Sequence, residues 1–221
     1  MSKALVGRGG GILAAVVALL LLWGVLPLAS PAASPPGSYL SFLPLVRRAG
    51  GSGAVLFSDD FDHGTLSGWR ANYGSWVNRD SAMRGEFIIG QAWNLREVVA
   101  SDLTYEGTVT VQDGLAAGLA FRASPSGARS YQAVLNVRDK AFQLGRVDSG
   151  FTTVLASQAL DVQLDRPYRI ALRAQGSLLE GWLDGARLLT AVDSNYATGQ
   201  LGVTVAVGVA VFDDLLARSY P

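Results

Sequence analysis

From Val55 onward the apolar residues recur at every second position or in short unbroken runs. The three-to-four spacing of an amphipathic helix is not sustained anywhere in that stretch. Tyr168, Ile170 and Leu172 alternate with Arg169, Ala171 and Arg173, the pattern of a half-buried strand. Leu201–Val207 and Val209–Leu216 are apolar at alternate or all positions, as in strands covered on both faces. Gly, Asp, Ser and Asn clusters separate such runs at the spacing of an all-β sandwich. Thr108–Val111 and Ala116–Phe121 flank a turn expected at Gln112-Asp113-Gly114, and Tyr131–Val137 and Phe142–Val147 flank Asp139-Lys140. Leu178–Leu183 and Arg187–Ala191 flank Asp184-Gly185, the strongest hairpin signal, because both residues tolerate positive φ. The pattern predicts about thirteen strands, a number that suits two curved antiparallel sheets better than one open sheet.

The N-terminal pattern is different. Ile12–Ala29 is a block of apolar residues after a short start carrying Lys3 and Arg8, and it is followed by Ser30-Pro31-Ala32-Ala33-Ser34. A positive start, an apolar centre and small residues after it are the parts of an export signal, here expected over residues 1–32 with a cut after Ala32. The competing expectation is an uncleaved membrane-anchor helix. Residues 33–54 contain Pro35-Pro36-Gly37 and Ala49-Gly50-Gly51-Ser52-Gly53, a linker composition that is semi-rigid and then flexible. The apolar run Tyr39–Val46 inside it, closed by Arg47-Arg48, raises the idea of tethering to the cell envelope. Residues 55–221 are then one folded domain, long enough to bury a self-sufficient core.

Composition narrows the chemistry. The chain has no cysteine, so disulfides, thiol catalysis and Cys-based zinc sites are excluded. Lys and Arg number 18, as do Asp and Glu, and no basic patch with interleaved aromatics is present. Nucleic acid is therefore not an expected partner. His63 is the one histidine, which leaves neither a His cluster for a metal hydrolase nor a Ser-His-Asp set with its Gly-x-Ser-x-Gly elbow. Glycoside hydrolysis requires two carboxylates across a cleft. The nearest pair on a strand is Glu180 and Asp184, and Asp184 belongs to a turn.

Several segments, in order, carry a family resemblance: Phe57–Asp62 (FSDDFD), Ser67–Trp69, Gly74–Asn78, Gly85–Phe87, Ala117–Ser124, Ser130–Asn136, Tyr168–Gly176, Leu179–Gly185, Gly199–Val203 and Val211–Leu215. Together they resemble the concanavalin A-like lectin and glucanase superfamily. Within it they are most similar to laminin-G-like and 3-keto-disaccharide-hydrolase-type domains of secreted bacterial proteins. The resemblance implies a two-sheet antiparallel jelly-roll sandwich. It implies a sugar binder, an enzyme on keto-sugars or glycosides, or a structural, adhesive envelope module, since fold alone does not choose among them.

A non-catalytic, secreted carbohydrate-binding module, with a polysaccharide or oligosaccharide as partner, asks least of these residues. Aromatic rings cover the apolar face of a sugar while amides and charged groups bond its hydroxyls. Arg122, ending GLAFR, and Tyr131, opening the next strand, are expected to face each other across a hairpin. Trp93, after Gly90-Gln91-Ala92 and beside Asn94 and Arg96, is expected on an exposed loop. Trp69, Trp76 and Phe87 are expected to pack the core. The resemblance also implies that the first and last strands run side by side. Asp59-Asp60 would then approach Asp213-Asp214, and a structural Ca²⁺ held through Asp60 and Asp213 would relieve their repulsion.

Overall fold

The computed structural model describes residues 53–220. The expected export segment at 1–32 and most of the linker at 33–54 lie outside the described residues. Those residues form twelve strands. They are β1 (Val55–Asp59), β2 (Trp69–Asn72), β3 (Ser75–Arg79), β4 (Ala82–Ala100), β5 (Leu103–Ala123) and β6 (Arg129–Asn136). The remainder are β7 (Ala141–Asp148), β8 (Phe151–Ala159), β9 (Pro167–Gln175), β10 (Leu178–Leu183), β11 (Ala186–Val192) and β12 (Gly199–Ser219). All pairing is antiparallel. The expected all-β jelly-roll sandwich is the fold observed.

Two layers arise from one continuous hydrogen-bonded path, because β4, β5 and β12 are 19, 21 and 21 residues long and bend from one layer into the other. In the first layer the amino-terminal half of β5 lies between β9 and the carboxy-terminal half of β12, with β10 and β11 beyond β9. In the second, the order runs β8-β7-β6-β5-β12-β4-β2, using the other halves of the long strands. Side chains that alternate inward from both layers make the core, among them Tyr105, Phe121, Tyr131, Phe142, Tyr168 and Phe212. Large aromatics of this kind bury much apolar area per residue and dominate such cores.

The bend corrects two expectations. Gln112-Asp113-Gly114 is not a turn between strands, and Leu201–Val207 and Val209–Leu216 are not separate strands; each is a crease inside one long strand. Gly114 and Gly208 are register partners there, both with positive φ. A Cβ on Gly114 would lie 1.8 Å from the Val207 carbonyl oxygen, and one on Gly208 would lie 2.1 Å from that of Asp113. The chains can approach so closely only without side chains, so the ladder continues through a point where sequence punctuation reads as a turn. β2 passes into β3 at the same crease through Tyr73 and Gly74, and β4 passes through Ile88–Gly90.

Other expectations hold. Asp139-Lys140 joins β6 to β7, and Asp184-Gly185 joins β10 to β11 with both φ angles positive. Tyr168, Ile170 and Leu172 point inward. Trp69 and Trp76 pack partly buried against the core, but Phe87, expected with them, is half-buried outside that cluster with its ring against Tyr73. β1 pairs with β12, placing Asp59 opposite Leu215.

Candidate functional site

On the second layer, every other residue of β4, β5, β6, β7 and β12 points away from the core. Small residues at several of these outward positions, Ala116 and Ala206 among them, leave a groove of about 310 Å³. Its lining carries Gln91 of β4, Gln132 and Asn136 of β6, Gln143 of β7, Thr152 of β8 and Thr204 of β12. Gly145 lets Gln132 and Thr152 approach across β7: a Cβ there would lie 3.0 Å from the Thr152 methyl and 3.6 Å from Gln132 Cγ.

These polar side chains hold one another in place. Gln91 Nε2 donates to Gln132 Oε1 at 2.5 Å and to Thr204 Oγ1 at 2.8 Å, and Thr204 Oγ1 donates on to the Ala92 carbonyl at 3.0 Å. Gln132 Nε2 reaches Thr152 Oγ1 at 3.5 Å. Asn136 Nδ2 donates to Gln143 Oε1 at 2.9 Å and to Asp139 Oδ2 at 3.0 Å. Every amide has two N–H donors and two lone pairs, so bonds of this number leave capacity on Gln91, Gln132 and Gln143 for a ligand. Asp139 and Arg138, the charged members of the lining, are 3.1 Å apart and neutralise each other. The groove therefore offers fixed, uncharged donors and acceptors in a hollow, which is the chemistry that reads sugar hydroxyls.

None of the three residues singled out from the sequence lines this groove. Trp93 lies inside β4, not on a loop, and is 4% exposed. It stands next to Thr204 on the outward face, covered by the β5–β6 connection; a Cβ on Gly127 would lie 2.6 Å from its ring. Gly90 and the amide beside it read as loop residues, but they mark the crease of a strand. Arg122 does not face Tyr131; Phe121 does, because Arg122 takes positive φ and leaves the alternation. Its guanidinium, 2% exposed, donates to the carbonyls of Ser101, Gly176 and Tyr196 and approaches Asp102 at 3.3 Å. Burial lowers its pKa, with the Asp102 charge opposing. It clamps together the β4–β5, β9–β10 and β11–β12 connections. Tyr131 points into the core, stacks near Phe121 and Tyr196, and donates its hydroxyl to Asp193 Oδ1 at 2.5 Å. Burial and that bond push its pKa up to about 12.

A groove signal was present in the sequence. Gln132 and Asn136 sit four residues apart in SYQAVLN, Gln143 interrupts AFQLG, and Thr204 interrupts LGVTVAV. An amide or hydroxyl among apolar neighbours on alternate positions of an interior strand marks an outward hollow, since such groups are seldom buried without purpose.

The acidic end of the domain is arranged differently. Asp59 is buried and accepts from Trp69 Nε1 at 2.7 Å and from the Phe61 N–H at 3.1 Å, with Arg96 3.6 Å away. It is a structural acid. One ligand atom from each of Asp59, Asp60 and His63 can nevertheless be placed within 4.8 Å of the others. Burial raises the Asp213 carboxyl above its usual range, and Asp214, Asp62 and Asp60 add to this, against one Asp214 N–H that lowers it. The Asp60 charge thus reaches the Asp213 carboxyl, while the acids whose ligand atoms lie together are Asp59 and Asp60, with His63.

No protein-family model matches the sequence. The chain is 26% identical over 157 residues to the levanase of Bacillus subtilis (strain 168), an alignment covering 70% of this chain and 23% of that enzyme. The chain therefore spans about a quarter of the length of this curated relative. Among solved structures it is similar to the carbohydrate binding module CBM66 from Bacillus subtilis, with a TM-score of 0.66 and 26% identity over 69% of this chain and 96% of that one. A Bacillus licheniformis β-glucanase shares the fold, with a TM-score of 0.57 at 11% identity, over 77% of this chain and 100% of that one.

Proposed function

We propose that this protein is an exported, non-catalytic carbohydrate-binding module that holds a polysaccharide in the groove of its second layer. The observation that carries the reading is the set of mutually braced amides and hydroxyls, Gln91, Gln132, Gln143, Thr152 and Thr204, around an uncharged hollow. Likeness to a carbohydrate binding module and to part of a levanase supports the ligand class and makes levan the first glycan to test. The groove's chemistry speaks for binding over turnover. Of its lining residues only Asp139 is a carboxylate, while glycoside hydrolysis uses two. Asp102 is engaged by Arg122, and Glu106 pairs with Arg169 on the other layer at 3.1 Å. Export, and tethering to the envelope, rest on the pattern of residues 1–54. A Ca²⁺ held through Asp60 and Asp213 belongs to the same reading as a clasp between β1 and β12, remote from the chemistry of the groove.

The test is titration calorimetry of the whole domain against levan, other neutral polysaccharides and an acidic one. We expect binding to a neutral glycan that weakens about tenfold in Gln132→Ala, the scale of one lost pair of hydrogen bonds. A protein that binds none of the panel, or binds with no loss in Gln132→Ala, defeats the reading.

A further inference from the structure

At the crease the lining of the groove reaches Gly90. We propose that Tyr73 and Phe87 continue it as an aromatic platform, so that the ligand is held as a chain of several sugar units across two subsites. This rests on the carbohydrate reading above.

Three observations place the platform. Gly90 lines the groove, and a Cβ on it would lie 4.0 Å from Phe87 Cε1, so the edge of that ring borders the groove's end. Tyr73 lies against Phe87 with ring centroids 6.2 Å apart and planes 34° apart. Beyond them Ile88 and Ile89 are both exposed, making the crease the apolar margin of an otherwise amide-lined surface.

Tyr73 itself is in an unusual state. It has φ of 66°, a conformation that favours Gly, Asn and Asp and is uncommon for a bulky ring. Its carbonyl accepts from Trp76 Nε1 at 2.8 Å, which locks the backbone there, while its side chain is 69% exposed. Stability alone would select Asn or Gly at this place and a smaller apolar surface. A strained backbone presenting an aromatic face to water points to a role for that face. Rings of this kind lie flat against the C–H face of a sugar, the contact that the groove's amides lack. Amides at one subsite and aromatics at the next together suit a neutral chain laid along the crease.

The experiment compares a levan-derived disaccharide, tetrasaccharide and hexasaccharide on the wild type, Tyr73→Asn, Tyr73→Phe and Gln132→Ala by calorimetry. Tyr73→Asn suits the backbone better than Tyr, so its melting temperature is kept or raised and loss of binding cannot be blamed on folding. We expect wild-type affinity to rise with length. Tyr73→Asn weakens the hexasaccharide about fivefold to tenfold and leaves the disaccharide unchanged, and Tyr73→Phe behaves as wild type. If Gln132→Ala loses binding while Tyr73→Asn binds every length like wild type, the groove stands and the platform falls. If the wild type binds neither levan nor its fragments, the platform as stated falls, and the wider glycan panel decides separately whether the carbohydrate reading survives.

Discussion

The two outward faces of this sandwich obey the same alternation and carry opposite chemistry. Around the hollow on the second layer, amides and hydroxyls stand among small and aliphatic residues, with one Arg138–Asp139 pair. On the first layer the outward positions carry ions: Glu180 of β10, 2% exposed, is gripped by Arg173 of β9 and by Arg187 of β11 at 2.7 Å, and Arg169 pairs with Glu106. The Arg173 guanidinium also lies 5.2 Å from the Tyr220 ring centre and 5.7 Å from that of Trp182. Charges so matched satisfy each other and leave little for a ligand, while their long stems cover the sheet. Amides braced through only part of their capacity remain open to one. The ion-paired face is a closed surface and the amide face is an open one.

The largest effect that would sharpen this contrast is on stability. Glu180→Gln leaves two guanidinium groups without their carboxylate, and because Arg187 is largely exposed the loss is discounted to about 1–3 kcal/mol. Denaturant unfolding should show it, while levan affinity stays within twofold. A large loss of affinity would erase the distinction between the faces.

Next in size is an acid response that belongs to the ions and not to the groove. Burial works to raise the Asp193 pKa, but the Tyr131 hydroxyl, both Asn195 donors and Arg146 outweigh it and hold the group down, from 3.8 to about 2. A carboxyl depressed in the fold stabilises it above its unfolded value and ceases to do so as pH falls through its folded value. Unfolding midpoints should therefore drop between pH 3.8 and about 2, and Asp193→Asn should flatten that part of the profile. Equal slopes in both proteins would remove Asp193 from the account.

The smallest expected effect is at the acidic clasp. Added Ca²⁺ should raise the melting temperature by about 2–5 °C over chelator, and Asp213→Asn should abolish the response. No change with Ca²⁺ would show that the acids are simply solvated.

Elements whose periodicity is local were legible from the chain. The β6–β7 and β10–β11 hairpins, the inward row of Tyr168, Ile170 and Leu172, and the pairing of first and last strands all follow from alternation, turn chemistry or the family resemblance. The crease was not legible, since Gly114 and Gly208 signal a break in either strand taken alone and permit continuity only when opposed. Tyr131 and Arg122 misled for a related reason. Both are polar residues at strand ends, and only the fold supplies the Asp193 carboxylate for one and three carbonyls for the other.

What the sequence determined by itself is therefore a β sandwich with a core on one side of each strand, because a period of two assigns each side chain to a face without reference to distant residues. What only the tertiary structure decided is which outward face is open. That depends on whether a polar side chain meets a partner of matching charge from another strand, as Glu180 does, or a small residue and a partly occupied amide, as Gln132 does. For the amides such partners lie far apart along the chain, 41 positions for Gln91 and Gln132 and 113 for Gln91 and Thr204, whereas Arg187 lies only 7 positions from Glu180 on the adjoining strand.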